Sequence, residues 1–178
     1  MYFLQRNFIY HPTGQDFLNC QGFADSKKIN LGGTRAYFKE VSNKIIVFYH
    51  GNAGSACDRA FLKDKFTKLG YSSLFAEYAG YSNDDPQPTQ VLLMEDVVRV
   101  NDFLKNQRFS QIVLMGESLG AALASYHSSF AQANKLILIA PFDSTVSIAK
   151  HHYPFLPIHT LLKDTYPAAL WINTNPMA

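Results

Sequence analysis

Apolar residues recur along this chain with two different periods. Three short runs are apolar without interruption: Lys44-Ile-Ile-Val-Phe-Tyr49, Gln111-Ile-Val-Leu-Met115 and Lys135-Leu-Ile-Leu-Ile-Ala140. Each ends in turn or helix-start residues. Runs of this length without polar alternation suit strands buried on both faces, and so a parallel sheet covered by helices. Tyr71 to Tyr78 predicts a fourth, less continuous strand. Between the strands the period lengthens. Leu62, Phe66 and Leu69 follow Ser55 at helical spacing; Ser55 reads as an N-cap with Asp58 at capping-box distance, and Gly70 as the residue just past the helix end. Pro88 opens a second helix with Leu93, Val97, Val100 and Leu104 as its buried stripe. A third starts near Ser118 and carries the small residues Ala121 and Ala122 beside Leu123. This alternation predicts an α/β domain with a mostly parallel, twisted sheet flanked by helices. The first forty residues predict one or two antiparallel edge strands: Phe8-Ile9-Tyr10, and Arg35 to Val41 after Gly32-Gly33.

Length narrows the organisation: 178 residues suit a single domain over 1–178 with a core of its own. Hydrophobic residues are 47% and charged residues 17% of the chain, the latter below the roughly 25% usual in globular domains. That balance excludes disorder. A net charge of +2 offers little counterion release, so no nucleic-acid partner is expected. The aromatic content points instead to apolar ligands, membrane-surface contact or self-association. Two cysteines, Cys20 and Cys57, are too few for a disulfide framework and read as reduced, structural residues. The N-terminus has no basic region followed by a long apolar run, and no stretch approaches the ~20 apolar residues of a membrane span. The expected compartment is the cytoplasm, with membrane-surface association left open.

Gly116-Glu117-Ser118-Leu119-Gly120 fits G-x-S-x-G, between an apolar strand and a small-residue helix. That context is the requirement for a nucleophile elbow. A serine on so tight a turn needs small residues two before and two after it, or their side chains would strike the neighbouring strand and helix. The turn also sets Ser118 at a helix N-terminus, where backbone N–H groups favour a developing oxyanion. The competing reading is a glycine-bounded turn with an inert serine. His50-Gly51-Asn52-Ala53-Gly54-Ser55 likewise joins a strand to a helix. In an acyl-transfer enzyme it would supply one oxyanion donor, Asn52 N–H first and Ala53 N–H second, with Leu119 N–H as the other. As a phosphate loop it lacks G-x-x-x-x-G-K-[ST]; as a plain connector it would have no role.

These residues resemble the α/β-hydrolase superfamily, and within it the serine hydrolases with an H-G-N-A-G oxyanion loop. Three blocks match in order: His50 to Gly54, Glu77-Tyr78-Ala79-Gly80-Tyr81, and Gly116 to Gly120. The middle block departs from the family's D-Y-R-G-Y/F-G segment at Glu77, Ala79 and Ser82. Leu138 to Asp143 resembles the family's next strand and its exit, and the likeness runs over residues 5 to 178. The resemblance implies hydrolysis of a carboxylic ester or thioester through an acyl-Ser118 intermediate, with no metal or organic cofactor. It also implies an acid and then a histidine after Ser118, in H-G-x-x-D and G-H contexts. Neither pattern occurs, and Asn175 to Ala178 falls about where the family's next strand would begin. The expectation is therefore the front of a hydrolase, impaired because triad acid and base are absent, with 144–166 as a small cap or lid. Substitutes are sought among Asp143, His151 and His152, with His159 and Asp164 behind them. By the same resemblance His50 is structural, and His127 reads as a surface or packing residue. An unpartnered strand at 135–140 predicts edge-to-edge homodimerisation, or coverage by Tyr153 to Leu162. The alternative of a different class is a non-catalytic hydrolase-like binding module; a nucleotide-binding domain is the weaker third reading.

Overall fold

A computed structural model of the chain describes residues 5–174. Helix α1 (Gln5–Ile9) and the two-residue strand β1 (His11–Pro12) lead into the hairpin β2 (Lys27–Leu31) and β3 (Thr34–Lys39). Strand β4 (Lys44–Tyr49) follows, then the short β5 (Ala53–Gly54), α2 (Phe61–Lys68), β6 (Ser72–Glu77), α3 (Gln90–Lys105), β7 (Gln111–Glu117), α4 (Leu119–Phe130) and β8 (Lys135–Ile139). Three short helices close the described chain: α5 (Thr145–His152), α6 (Ile158–Leu161) and α7 (Ala168–Asn173). Six strands form one sheet in the order β2-β3-β6-β4-β7-β8. The pairs β2/β3 and β3/β6 are antiparallel and the rest are parallel. A separate parallel pair joins β1 to β5.

The unbroken apolar runs bury both faces of the central strands. Ile45, Val47 and Tyr49 of β4 face a core shared with Leu93, Val97, Val100 and Leu104 of α3 and Leu123 of α4. Ile46 and Phe48 face the other way, onto Phe66 of α2 and Phe23. Strand β6 repeats the pattern, with Leu74 and Ala76 on the first side and Phe75 on the second. Helices therefore cover both faces, as a parallel sheet requires.

Several expectations change. Phe8 and Ile9 end helix α1 and Tyr10 lies outside any strand; the antiparallel partner of β3 is Lys27–Leu31 instead. That strand has a half-exposed, polar-rich pattern (KKINL), so its apolar signal is weak. Arg35 to Val41 shortens to Thr34–Lys39. The box of Ser55 and Asp58 caps a 3-10 turn, Ala56–Arg59, ahead of α2 rather than α2 itself. Thr89, not Pro88, caps α3, its hydroxyl accepting from Leu92 N–H at 3.1 Å. Leu69 is exposed. The cysteines are not reduced: Cys20 and Cys57 form a disulfide across 37 residues of sequence, with Cα atoms 5.9 Å apart. Spacing gave no sign of it, because the two sites meet only when the turn at Gln21–Phe23 packs under the turn at Ala56–Arg59.

Strand β8 pairs only with β7 among the described residues, so its outer edge has no strand partner. The tail does not run along that edge. It returns across α4 through α7 and is held near the N-terminus. Asp164, 3% exposed, accepts from Tyr10 OH at 3.0 Å and Arg6 Nε at 3.4 Å. Tyr10 and Tyr166 hydroxyls lie 2.8 Å apart, and Gln90 Oε1 accepts from Thr165 N–H at 2.7 Å. No helix of the described residues is long and apolar enough to cross a membrane.

Candidate active site

Ser118 sits between β7 and α4 at φ 53°, ψ −114°. A non-glycine residue there is strained by about 1–3 kcal/mol, which the surroundings must hold in place. They do so from two sides. Ser118 N–H donates to Ile139 O at the end of β8, 2.9 Å away. The glycines two residues either side let backbones close on the turn. A Cβ on Gly116 would lie 2.0 Å from Gly120 O, and one on Gly120 would lie 2.0 Å from Tyr49 O and 2.5 Å from His50 O. The helix carrying the serine is thus pressed against the end of β4, where the His50–Ser55 loop starts. Glu117 faces away from this contact and takes a two-pronged ion pair from Arg59, at 3.0 and 2.9 Å. Each raises the charged fraction of the other: Arg59 holds the Glu117 carboxyl below its ordinary range, and Glu117 holds the guanidinium above its own.

The loop is pinned carbonyl by carbonyl. His50 O accepts from Tyr78 OH at 2.7 Å. Gly51 O faces the Nδ1 of His50 at 2.8 Å. Asn52 O accepts from Tyr81 OH and from His11 N–H, both at 2.9 Å. At its far end Ala56 N–H donates to Glu77 Oε2 at 3.1 Å. Neither Asn52 N–H nor Leu119 N–H has an acceptor among the described residues. Burial raises the Tyr78 and Tyr81 hydroxyls well above the usual phenol range, so both stay protonated donors.

A cavity of about 540 Å³ opens beside Ser118, and Asn52 and Leu119 line it with the serine. Its other walls are chiefly apolar: Ile9, Phe142, Ile148, Leu156 and Leu162 among them. Ala53 is exposed, pairs with His11 and is not on that wall, which separates it from Asn52.

The acid and base candidates are placed very differently. His152, at the end of α5, lines the cavity with Ser118. His151 packs edge-on against the His152 ring and faces solvent. His159 is exposed, and so is Asp143, whose carbonyl serves Ala169 N–H at 3.1 Å. Asp164 is committed to Tyr10 and Arg6. His127, on the buried face of α4, has its Nδ1 2.8 Å from Tyr49 OH, and desolvation pushes its imidazole down to about 3, so it is a neutral packing group. Ser118 Oγ has no hydrogen bond to any described side chain. Among the described residues no three His, Cys, Asp or Glu side chains cluster as metal ligands. Sequence reading missed Arg59, and it noted Glu77 only as a departure from the family's segment. The match of the Glu77-to-Tyr81 block was the signal that these residues serve the loop.

No family model matches the chain. It is 34% identical over 179 residues to an uncharacterized protein of Mycobacterium tuberculosis, covering 92% of this chain and 63% of that protein. It is 28% identical over 125 residues to Protein ABHD12B of Homo sapiens, covering 66% of this chain and 34% of that one. To the lysophosphatidylserine lipase ABHD12 of Bos taurus it is 27% identical over 144 residues, covering 76% and 35%. The chain thus spans between one and two thirds of the length of these relatives. Among solved structures it is similar to an alpha-beta hydrolase from Vibrio vulnificus, with a TM-score of 0.66 over 86% of this chain and 61% of that one at 20% identity. It is also similar to Est1E from Butyrivibrio proteoclasticus with ferulic acid bound, with a TM-score of 0.61 over 71% and 57% at 20% identity. The fold is that of the α/β hydrolases.

Proposed function

We propose that this α/β-hydrolase-fold chain carries the nucleophile and oxyanion half of a serine hydrolase acting on carboxylic esters or thioesters through an acyl-Ser118 intermediate. The observation that supports it most is the strained backbone of Ser118, φ 53° and ψ −114°, at the wall of an apolar cavity. Strain of this kind is kept where it aims a side chain. Asn52 N–H and Leu119 N–H are the donors for the oxyanion, since both residues line the cavity beside Ser118 and neither N–H is used elsewhere. The apolar walls suit an acyl chain better than a charged substrate. The likeness to a lysophosphatidylserine lipase favours a lipid ester within that class. No cofactor enters the reaction.

In this reading Oγ attacks the carbonyl carbon, its proton passes to a base, and the alkoxide or thiolate leaves. The two N–H groups hold the charge that grows on the carbonyl oxygen. The base is the weak point. His152 is the one candidate on the cavity wall, and it has no hydrogen bond to Ser118 and no carboxylate partner among the described residues. Loss of the histidine of a serine triad costs on the order of a million-fold, leaving roughly 10³–10⁴ over water from binding and the oxyanion hole. The chain alone should therefore turn over slowly. Residues 144–166, which supply much of the cavity wall, serve as its cap. The unpaired edge of β8 is the surface through which two copies would associate.

The test is covalent labelling by a fluorophosphonate, read by intact mass, beside Ser118→Ala. Fast labelling that the variant abolishes supports an activated serine. A folded protein that binds an alkyl ester but is never labelled supports the binding-module reading instead.

A further inference from the structure

The buried pair His50 and Glu77 does not touch the cavity, yet it sits behind the loop that borders it. Both side chains are fully buried, and His50 Nε2 lies 3.2 Å from Glu77 Oε1. The ring is stacked on Tyr78, with centroids 4.0 Å apart, and Tyr81 meets its edge at 5.2 Å. It has no room to turn over.

The protons of this pair can be counted from the geometry. Nδ1 faces Gly51 O, which only accepts, so Nδ1 carries a hydrogen. Nε2 faces a carboxyl oxygen, Glu77 Oε1. Two bare lone pairs at that distance, away from water, would repel and leave two buried polar atoms unpaired. Neither atom has a hydrogen bond elsewhere, and the 3.2 Å contact, though its angle is not that of a made hydrogen bond, is close enough for one more proton between ring and carboxyl to remove that cost. The other carboxyl oxygen is already fixed by Ala56 N–H at 3.1 Å. The pair thus holds the ring with Nδ1–H aimed at Gly51 O and removes the alternative tautomer.

That single donor decides a peptide plane. Across a trans peptide the carbonyl and the following N–H point in opposite directions. With Gly51 O turned inward to the imidazole, Asn52 N–H is turned outward. We infer that Glu77 and His50 are positioning residues: they share one proton, and through Nδ1–H they hold the Gly51–Asn52 peptide with its N–H toward Ser118. This rests on the reading of Asn52 N–H as an oxyanion donor, but the latch itself is a statement about a tautomer and a peptide orientation.

Three variants of the 178-residue chain separate the terms. Asparagine at 50 places an amide N–H close to where Nδ1 stands; glutamine at 50 places it near Nε2. Glu77→Gln keeps an acceptor for Ala56 and offers an N–H to Nε2, which needs no shared proton and preserves Nδ1–H. The first readout is the 15N signature of the His50 ring, with the one-bond residual dipolar coupling of Asn52 N–H. The expected result is a protonated Nδ1 in the wild type and Glu77→Gln. The Asn52 coupling should be unchanged in Glu77→Gln and His50→Asn and altered in His50→Gln. The second readout is the fluorophosphonate labelling rate at Ser118. It should fall about a hundredfold in His50→Gln, the size of losing one oxyanion donor, and stay within about threefold in His50→Asn. An Nε2–H tautomer with bare Nδ1 in the wild type overturns the latch. So does an Asn52 coupling equal in His50→Asn and His50→Gln. If His50→Gln does not fold while His50→Asn does, the 15N signature of the wild-type His50 ring decides: a protonated Nδ1 supports the latch and a bare Nδ1 overturns it. A wild type that never labels, with the coupling pattern intact, sinks the hydrolase reading and leaves the latch standing.

Discussion

Two regions face the same cavity and are built to different standards. On one side stand the elbow and the His50–Ser55 loop. There a strained serine is held by Ile139 O, three successive carbonyls each have a donor, and glycines close to backbone distance at Gly116 and Gly120. On the other side lies the segment from Asp143 to Leu162. Helix α5 buries no residue fully, Phe155 is 97% exposed, and of the histidines there His151 and His159 face solvent while His152 lines the cavity. The first region is held by hydrogen bonds and close backbone contacts at each step, the kind of fixing that the proposed oxyanion donors would need. The second covers apolar space, and covering tolerates slack. The serine turn and its neighbouring loop are thus tightly bonded while the segment across the cavity from them is loosely packed.

The contrast breaks most sharply at Gly120. Gly120→Val should abolish cooperative unfolding or cost more than about 4 kcal/mol, because its first carbon already meets Tyr49 O at 2.0 Å. Phe155→Ala in the other region should change the urea midpoint by no more than about 0.5 kcal/mol equivalent. Equal effects would erase the distinction.

Reduction of the Cys20–Cys57 disulfide comes next. It closes a loop of 37 residues beneath the turn that follows the His50–Ser55 loop, so its loss should cost about 3–4 kcal/mol in thermal unfolding with and without dithiothreitol. A Tm unmoved by reductant would show that the cross-link adds nothing to the pinned region.

Asp96 gives a pH test of similar size. It lies 1% exposed, accepting from Thr34 OH at 2.6 Å and from Ala79 N–H at 2.8 Å in the segment that presents Tyr78 and Tyr81. Burial, opposed by those two hydrogen bonds and Arg99, raises its carboxyl to about 6 from 3.8. The folded state then holds the proton more tightly than the unfolded state. Stability is greatest below pH 4 on this account and falls as pH rises through 6, by about 3 kcal/mol. The difference in stability between wild type and Asp96→Asn should shift by about 2.4 kcal/mol from pH 4 to pH 7, since the unfolded carboxyl is already partly ionised at pH 4; a constant difference would mean the carboxyl titrates normally.

The smallest effects belong to the tail. Tyr166→Phe removes one hydroxyl from the Tyr10–Asp164–Tyr166 cluster and should cost about 1 kcal/mol. His152→Ala should leave the labelling rate at Ser118 within about twofold. A hundredfold fall would make His152 the missing base and give the tail a precision the comparison denies it.

Much of this was legible from residue order. The runs 44–49, 111–115 and 135–140 became central and edge strands because a run apolar on every residue has no solvent face to offer. The spacing of Gly116, Ser118 and Gly120 foretold a tight strand-to-helix turn because the constraint is local: backbones meet within five residues. The strand Lys27–Leu31 escaped, since an edge strand with polar residues on its open side loses the apolar signal. So did α1, whose fixing partners include Leu161, 156 residues from Gln5.

What the chain order determined by itself, then, was the sheet, the helices between its strands, and the serine's place on a tight turn, since each follows from periodicity and short-range sterics. Tertiary structure alone decided the rest. It brought Cys20 to Cys57, set Glu77 behind His50, sent the tail over α4 instead of along β8, and, among the described residues, left the Ser118 hydroxyl without a histidine partner. Those outcomes depend on side chains that meet only after the sheet has formed, and no spacing along the chain encodes the distance between them.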